Sequence, residues 1–273
     1  HSGTDEHAEL ARTLLAKVGL TETSLQCGTH SPYDRATARR LLERGEPLSP
    51  LRHNCSGKHA GMLLLSHCLG ENLDQYLQRT DKVQREILQA FSAMVGVAEQ
   101  EVELGIDGCS APNFAVTLPA SALGYARLMD PSGLDEKRAG ACSQIVRAML
   151  SNPEMVAGAG EFDTLLMQVM KGRLLSKGGA EGYQAIGIPT GQLAHGKAAG
   201  ITLKVHDGDG SKRARSVVCL ALLSTLGLLA SEEREQLSAF DARPLLNFSQ
   251  TEVGTLRLAS ESMARLHLAY ERI

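Results

Sequence analysis

The sequence predicts an α+β fold, an antiparallel sheet flanked by helices. Three observations carry that expectation. The first half shows helical periodicity in one segment after another. Beyond Lys171 the texture changes to short segments bounded by glycine, and an apolar run at Val217–Ala230 follows them. Helices, then strands, then a covering helix argue against alternating βαβ units.

The elements follow in order. In "DEHAELARTLLAKVGL", Asp5 to Leu20, residues Leu10, Leu14, Leu15 and Val18 share one face behind an acidic first turn, with Gly19 near the stop. A second helix is expected from Arg35 to Arg44, stopped by Gly45. The loop "RGEPLSPLRHNCSG" then leads to a helix beginning near Gly57. Helical spacing returns at Asn72–Val95, Pro119–Met129 and Leu134–Leu150, with the glycine-rich turn "GIDGCSAPN" between the first two. The stretches "GRLLSKGG", "GYQAIGIP" and "GITLKVHDGDG" read as successive strands of an antiparallel meander, covered by a helix over Ser216–Ala230.

A chain of 273 residues can bury a substantial core, and one folded unit over residues 1–273 is expected. A formal charge of -3 offers no basic field for a nucleic acid backbone. The run at 217–230 is too short to span a bilayer and reads as a buried helix. The cysteines Cys27, Cys55, Cys68, Cys109, Cys142 and Cys219 are scattered, which predicts reduced thiols and a cytoplasmic protein. The opening "HSGTDEHAEL" has neither an initiator Met nor a signal-like apolar region, and predicts a processed or truncated start.

Reactive chemistry concentrates in "NCSGKHAGML", Asn54 to Leu63, at a loop-to-helix junction. A cysteine there feels the positive end of the helix dipole, so Cys55 is expected to ionise more easily than a free thiol. If helical geometry already holds at Cys55, then Lys58 and His59 project from the same face. A capped helix with a snorkelling lysine and a small buried cysteine explains the same residues without any site. So the stretch alone does not decide. It is also no phosphate loop, since "SGKHAG" lacks the G-x-x-x-x-G-K-[ST] spacing.

A second thiol, Cys109, lies on the turn beside Asp107. Thiolates from two loops can hold zinc, although their separation is far from the local C-x-x-C pattern. On metal chemistry alone His59 is the preferred third ligand, because imidazole binds as the neutral form. Lys177, in "LLSKGGAEGYQAIG", sits on an expected strand before two glycines that let a ligand approach the backbone. A solvated edge-strand lysine is the competing explanation. A cysteine-dependent amidase using Cys55 with His59 as base is a further reading of these residues.

In this order, "NCSGKHAGML", "DGCSAPNFAVTLPASAL", "NPEMVAG" and "SKGGAEGYQAIGIP" resemble the asparaginase II family of the rhizobial, thermolabile type. These are serine-dependent L-asparaginases related in fold to serine β-lactamases and glutaminases. The resemblance implies hydrolysis of L-asparagine to aspartate and ammonia by a homodimer. It also implies a zinc ion on Cys55, Lys58 and Cys109, in place of the His59 preferred above. His59 then becomes a neighbour of the ligands on the substrate side, and Asp107 orients substrate or solvent. Lys177 takes the role of the catalytic lysine that serves a neighbouring nucleophile.

One departure follows from the same comparison. The family's nucleophilic serine lies in an S-x-x-K motif, and none occurs in these 273 residues. The sequence is therefore expected to lack the N-terminal segment, with its strands and nucleophile. A non-catalytic fragment that binds zinc and asparagine is the alternative.

Overall fold

A computed structural model describes residues 1–210, 212–259 and 261–262. It is an α+β protein with small antiparallel sheets among helices. The chain packs as two compact units, residues 1–120 with 154–158 and residues 121–153 with 159–273.

In the first unit, helices α1 (Asp5–Ala16), α2 (Arg35–Arg44), α3 (Ser56–Leu69) and α4 (Lys82–Val95) precede a hairpin of β1 (Glu103–Ile106) and β2 (Pro112–Ala115). Helix α2 has the predicted limits because both ends are fixed locally. Asp34 accepts a hydrogen bond from the Thr37 amide at 2.7 Å, and Gly45 closes the helix at φ 62°. The apolar face of α1 delivers Ala8, Ala11 and Leu15 to a core shared with Ala60, Met62 and Leu63 of α3 and with Tyr76 and Val83. Fully burying such a leucine contributes roughly 1.5–3 kcal/mol.

Two expectations are corrected in this unit. The helix read over Asn72–Val95 begins only at Lys82. Asn72 accepts from the Asp74 amide and Asp81 from the Val83 amide, so short polar side chains hold the preceding residues in turns and cap the helix late. The turn "GIDGCSAPN" is the tip of the β1–β2 hairpin, whose four-residue strands are too short and too exposed for an alternating apolar pattern to be read from the sequence.

The second unit holds most of α5 (Leu118–Met129), then α6 (Glu136–Ser151). The short α7 (Pro153–Val156) crosses back, and α8 (Phe162–Met170) returns to the second unit. The meander follows as predicted: β3 (Leu175–Gly178), β4 (Tyr183–Ile188) and β5 (Ala199–Lys204) form one antiparallel sheet in the order β3-β4-β5. Lys177 pairs with Ala185, and Ile186 with Ile201. The covering helix α9 (Ala214–Thr225) stops earlier than expected, because Gly227 at φ 68° ends the turn. Helix α10 (Ser231–Gln236) and a hairpin of β6 (Arg243–Leu246) and β7 (Glu252–Leu256), unread in the sequence, follow. Phe162, Leu166 and Met170 of α8 pack with Ile186, Ile188 and with Leu220 and Leu223 of α9. Among the described residues, no helix is long and apolar enough to cross a membrane.

Glycine permits the closest approach in this unit. A Cβ at Gly200 of β5 would run into the Ala122 carbonyl of α5 and lie 3.0 Å from the Ala126 amide. Backbone cannot give way as a flexible side chain does. Gly200→Val is expected to destabilise the protein by about 1–3 kcal/mol. A denaturation midpoint equal to that of the parent contradicts this packing.

Candidate functional site

The loop before α3 is held from several directions. Ser49 accepts from the Leu51 amide at 3.2 Å, and Leu51 is buried. His30 accepts from the Asn54 amide on Nε2 at 3.0 Å and lies 2.6 Å through Nδ1 from the Ser31 carbonyl. A carbonyl can only accept, so His30 carries its proton on Nδ1. His53, buried, accepts on Nδ1 from the Cys55 amide at 3.0 Å. Two residues of the segment 27–32 brace this loop: His30 fixes the residue before Cys55, while the Cys27 thiol bonds the Pro50 carbonyl. Sequence spacing does not reveal His30 or His53, since their partners are backbone groups brought close by folding.

Cys55 stands just before α3, at φ -106° and ψ 7°, and is not yet helical. Of the expected common face of Cys55, Lys58 and His59, only the pairing of Cys55 with Lys58 survives, and His59 leaves it. Lys58 turns toward the hairpin tip, where its Nζ lies 3.2 Å from Asp107 Oδ2. His59 turns into the core, fully buried, with Nδ1 2.7 Å from the Tyr76 hydroxyl. That hydroxyl also accepts from the Gln26 amide at 2.9 Å, which ties His59 and Tyr76 to the Gln26 backbone. Among the described residues His59 Nε2 has no hydrogen-bond partner. Such an imidazole cannot serve Cys55 as a base, and the cysteine-amidase reading loses its second residue.

Cys109 occupies the hairpin tip. The Asp107 amide donates to the Ala111 carbonyl and the Ser110 amide to the Asp107 carbonyl, with Ser110 at φ 70°. The turn places the buried Cys109 thiol 3.5 Å from Asp107 Oδ2. The ligand atoms of Cys55, Asp107 and Cys109 all lie within 4.8 Å of one another. Two sulfurs and a carboxylate oxygen so arranged suit a borderline ion such as zinc.

The electrostatics correct one expectation. Burial pushes the Cys55 thiol above its ordinary pKa; the Lys58 charge opposes this and Cys109 adds to it. This direction is opposite to the easier ionisation expected of a cysteine at a helix terminus. Burial works against the Lys58 ammonium, yet Cys55, Cys109 and Asp107 together raise its pKa. Burial also works against the Asp107 carboxylate, but Lys58 and the Gly108 amide hold its pKa below the ordinary value.

Burial, with the nearby Lys58 charge and a neighbouring imidazole, brings His53 and His59 each from 6.5 to about 4. The unfolded chain therefore binds more protons than the folded one between these values. Stability present above about pH 6.5 is lost progressively as pH falls toward about 4. Thermal midpoints measured with excess chelator are expected to fall over that window. A flat profile contradicts the buried neutral imidazoles.

Lys177 lies in the second unit, on β3 opposite Ala185, half-buried, with its Nζ bonded to the Gly178 carbonyl. Of the residues singled out in the sequence, Cys55, Lys58, Asp107 and Cys109 are gathered at one place in the first unit.

This is an α+β protein with a candidate metal centre where a hairpin tip meets a helix start. The family model L-asparaginase II matches residues 1–258, and the chain belongs to that family. No curated protein matches it.

Proposed function

We propose that this protein is an amidohydrolase that converts L-asparagine to L-aspartate and ammonia, with a zinc ion beside the substrate. The observation that carries the reading is the convergence of Cys55, Asp107 and Cys109 within 4.8 Å in a chain of the L-asparaginase II family. The family match runs across both compact units, which supports a single asparaginase II-like domain over residues 1–273.

Cys55, Cys109 and Lys58 would hold the zinc, with Asp107 bonded to both Lys58 and Cys109 and left to orient substrate or solvent. When bound, zinc supplies a positive charge that can polarise and fix an oxygen ligand. Both sulfurs and the amine must lose protons to coordinate, and the raised pKa values of Cys55 and Lys58 make that release costly at low pH. Zinc affinity is therefore expected to rise steeply with pH. Titration against a chromophoric chelator at several pH values checks this, and a pH-independent affinity opposes thiol and amine ligands. His59, expected to face substrate, lies fully buried against Tyr76 and would act on the site only from within the core, through Lys58, its neighbour in α3.

In the acyl-enzyme route a serine oxygen attacks the side-chain amide carbon and ammonia leaves. Water then cleaves the ester to release aspartate. Lys177 as the neutral amine takes the serine proton and returns it to the leaving ammonia. The serine would come from an S-x-x-K motif that residues 1–273 do not contain. The second reading is a non-catalytic chain that binds zinc and asparagine through the Cys55, Asp107 and Cys109 group.

Ammonia release from asparagine and from glutamine, with calorimetric binding of both, separates the two readings. Turnover of asparagine supports the enzyme, and binding without ammonia supports the second reading. We also infer a cytoplasmic homodimer. Cys27, Cys55, Cys68, Cys109 and Cys219 form no disulfide among the described residues, which fits a reducing compartment. Light scattering of the purified chain tests the dimer.

A further inference from the structure

A buried carboxylate lies directly behind the strand that carries Lys177. Asp163, in the first turn of α8, is 5% exposed, and both of its oxygens are committed to the sheet. Oδ1 accepts from Ser176 Oγ at 2.6 Å and from Gln184 Nε2 at 2.8 Å. Oδ2 accepts from the Gly178 amide at 2.6 Å. Gln184 Nε2 also donates to Ser176 Oγ at 2.9 Å, which closes the network between β3 and β4.

The bonded residues are the two that flank Lys177. Alternation along β3 puts Ser176 and Gly178 on the face toward Asp163 and Lys177 on the other. The carboxylate thus grips the chain immediately before and after the lysine without touching its side chain. The grip sits where pairing ends, since after Gly178 the chain turns over at Gly179–Gly182 before β4 begins. Strand ends fray, and hydrogen bonds to an ionised acceptor in a buried setting are the strong ones.

Two further observations show that the surroundings are shaped to this carboxylate. Gln184 is 1% exposed, and its Oε1 has no partner among the described residues, because the amide is turned to donate to Asp163 and Ser176. An unsatisfied buried acceptor is costly, so this orientation is maintained by the carboxylate. At position 178 a side chain would crowd the carboxylate and its neighbour Arg215. A Cβ there would lie 2.6 Å from an Arg215 guanidinium nitrogen and 3.0 Å from Asp163 Oδ2.

We propose that Asp163 is a positioning residue for Lys177, clamping the end of β3 through Ser176 and Gly178 so that the amine is presented from a fixed backbone. Its bearing on catalysis rests on the proposed role of Lys177 in asparagine hydrolysis.

The test reads Lys177 directly. The full chain is trace-labelled with acetic anhydride, and peptide mass spectrometry compares the acetylation rate of Lys177 with those of Lys171 and Lys204. In Asp163→Asn the rate at Lys177 is expected to change several-fold while Lys171 and Lys204 keep theirs, and Asp163→Glu is expected to restore part of the difference. Where turnover is measurable, Asp163→Asn should lower kcat by roughly 10²-fold with KM little changed, the signature of a misplaced group. If Asp163→Asn does not fold, Ser176→Ala, which removes one donor to Asp163 Oδ1, carries the same comparison. A lowered thermal midpoint with unchanged Lys177 labelling makes the carboxylate purely structural and overturns the proposal. A changed Lys177 rate in a chain that never releases ammonia upholds the clamp and removes the amidase reading instead.

Discussion

Cys109→Ser is expected to abolish the stoichiometric zinc binding proposed for this chain and to weaken asparagine binding, while the fold survives. A serine hydroxyl is nearly the size of the thiol but is a poor zinc ligand at neutral pH, because it does not ionise. The hairpin tip is held by main-chain bonds from Asp107 to Ala111 and from Ser110 to Asp107, and none of these uses the Cys109 side chain. The loss therefore falls on the metal. Removing one of the thiolates is expected to reduce affinity by far more than the roughly 10- to 100-fold typical of changes to residues that merely support a ligand. Elemental mass spectrometry and calorimetry on the variant read both effects. Unchanged metal content would remove Cys109 from the site.

Lys177→Ala is expected to eliminate the proposed asparagine hydrolysis and to leave zinc content as it was. The two halves of this prediction are independent because the residues belong to separately packed units, Lys177 on β3 and the thiols on the α3 start and the β1–β2 tip. A general base typically contributes roughly 10²- to 10⁴-fold, and a lysine that activates the nucleophile sits at the upper end. Lys177→Arg is expected to be equally inactive, since a guanidinium cannot act as a base at neutral pH. Retained turnover in either variant, or loss of zinc, would contradict the assigned role.

The legible parts of the fold are those whose instructions are local. Helix α2 can be read to its end residues because Asp34 and Gly45 cap it within its own sequence. The meander can be read because glycines delimit its strands, and β4, buried along most of its length, shows a continuous apolar texture. The late start of α4 is hidden by side-chain turns at Asn72 and Asp81 that compete with the helix. The hairpins β1–β2 and β6–β7 are short and largely exposed, so no alternating apolar pattern can be read from either sequence.

The same division runs through the candidate site. Residue types alone single out Cys55, Lys58, Asp107 and Cys109, and the fold gathers all four. The state of each group follows from surroundings that no motif encodes. A helix terminus predicts an acidified Cys55, whereas burial beside a second thiol raises its pKa. Helical spacing predicts a face shared by His59 and Cys55, but Tyr76 holds His59 in the core. His30, His53 and Asp163 act on backbone amides that folding brings to them, which leaves no spacing signal to find.

The most direct test of the account is the metal content of the purified wild-type chain by elemental mass spectrometry, with Cys55 and Cys109 challenged by an alkylating reagent before and after chelation. About one zinc per chain, with both thiols protected until the chelator is added, is the predicted result, as a structural or catalytic four-ligand site requires. A chain without zinc, whose Cys55 alkylates equally fast in both conditions, would contradict the metal centre and with it the proposed function.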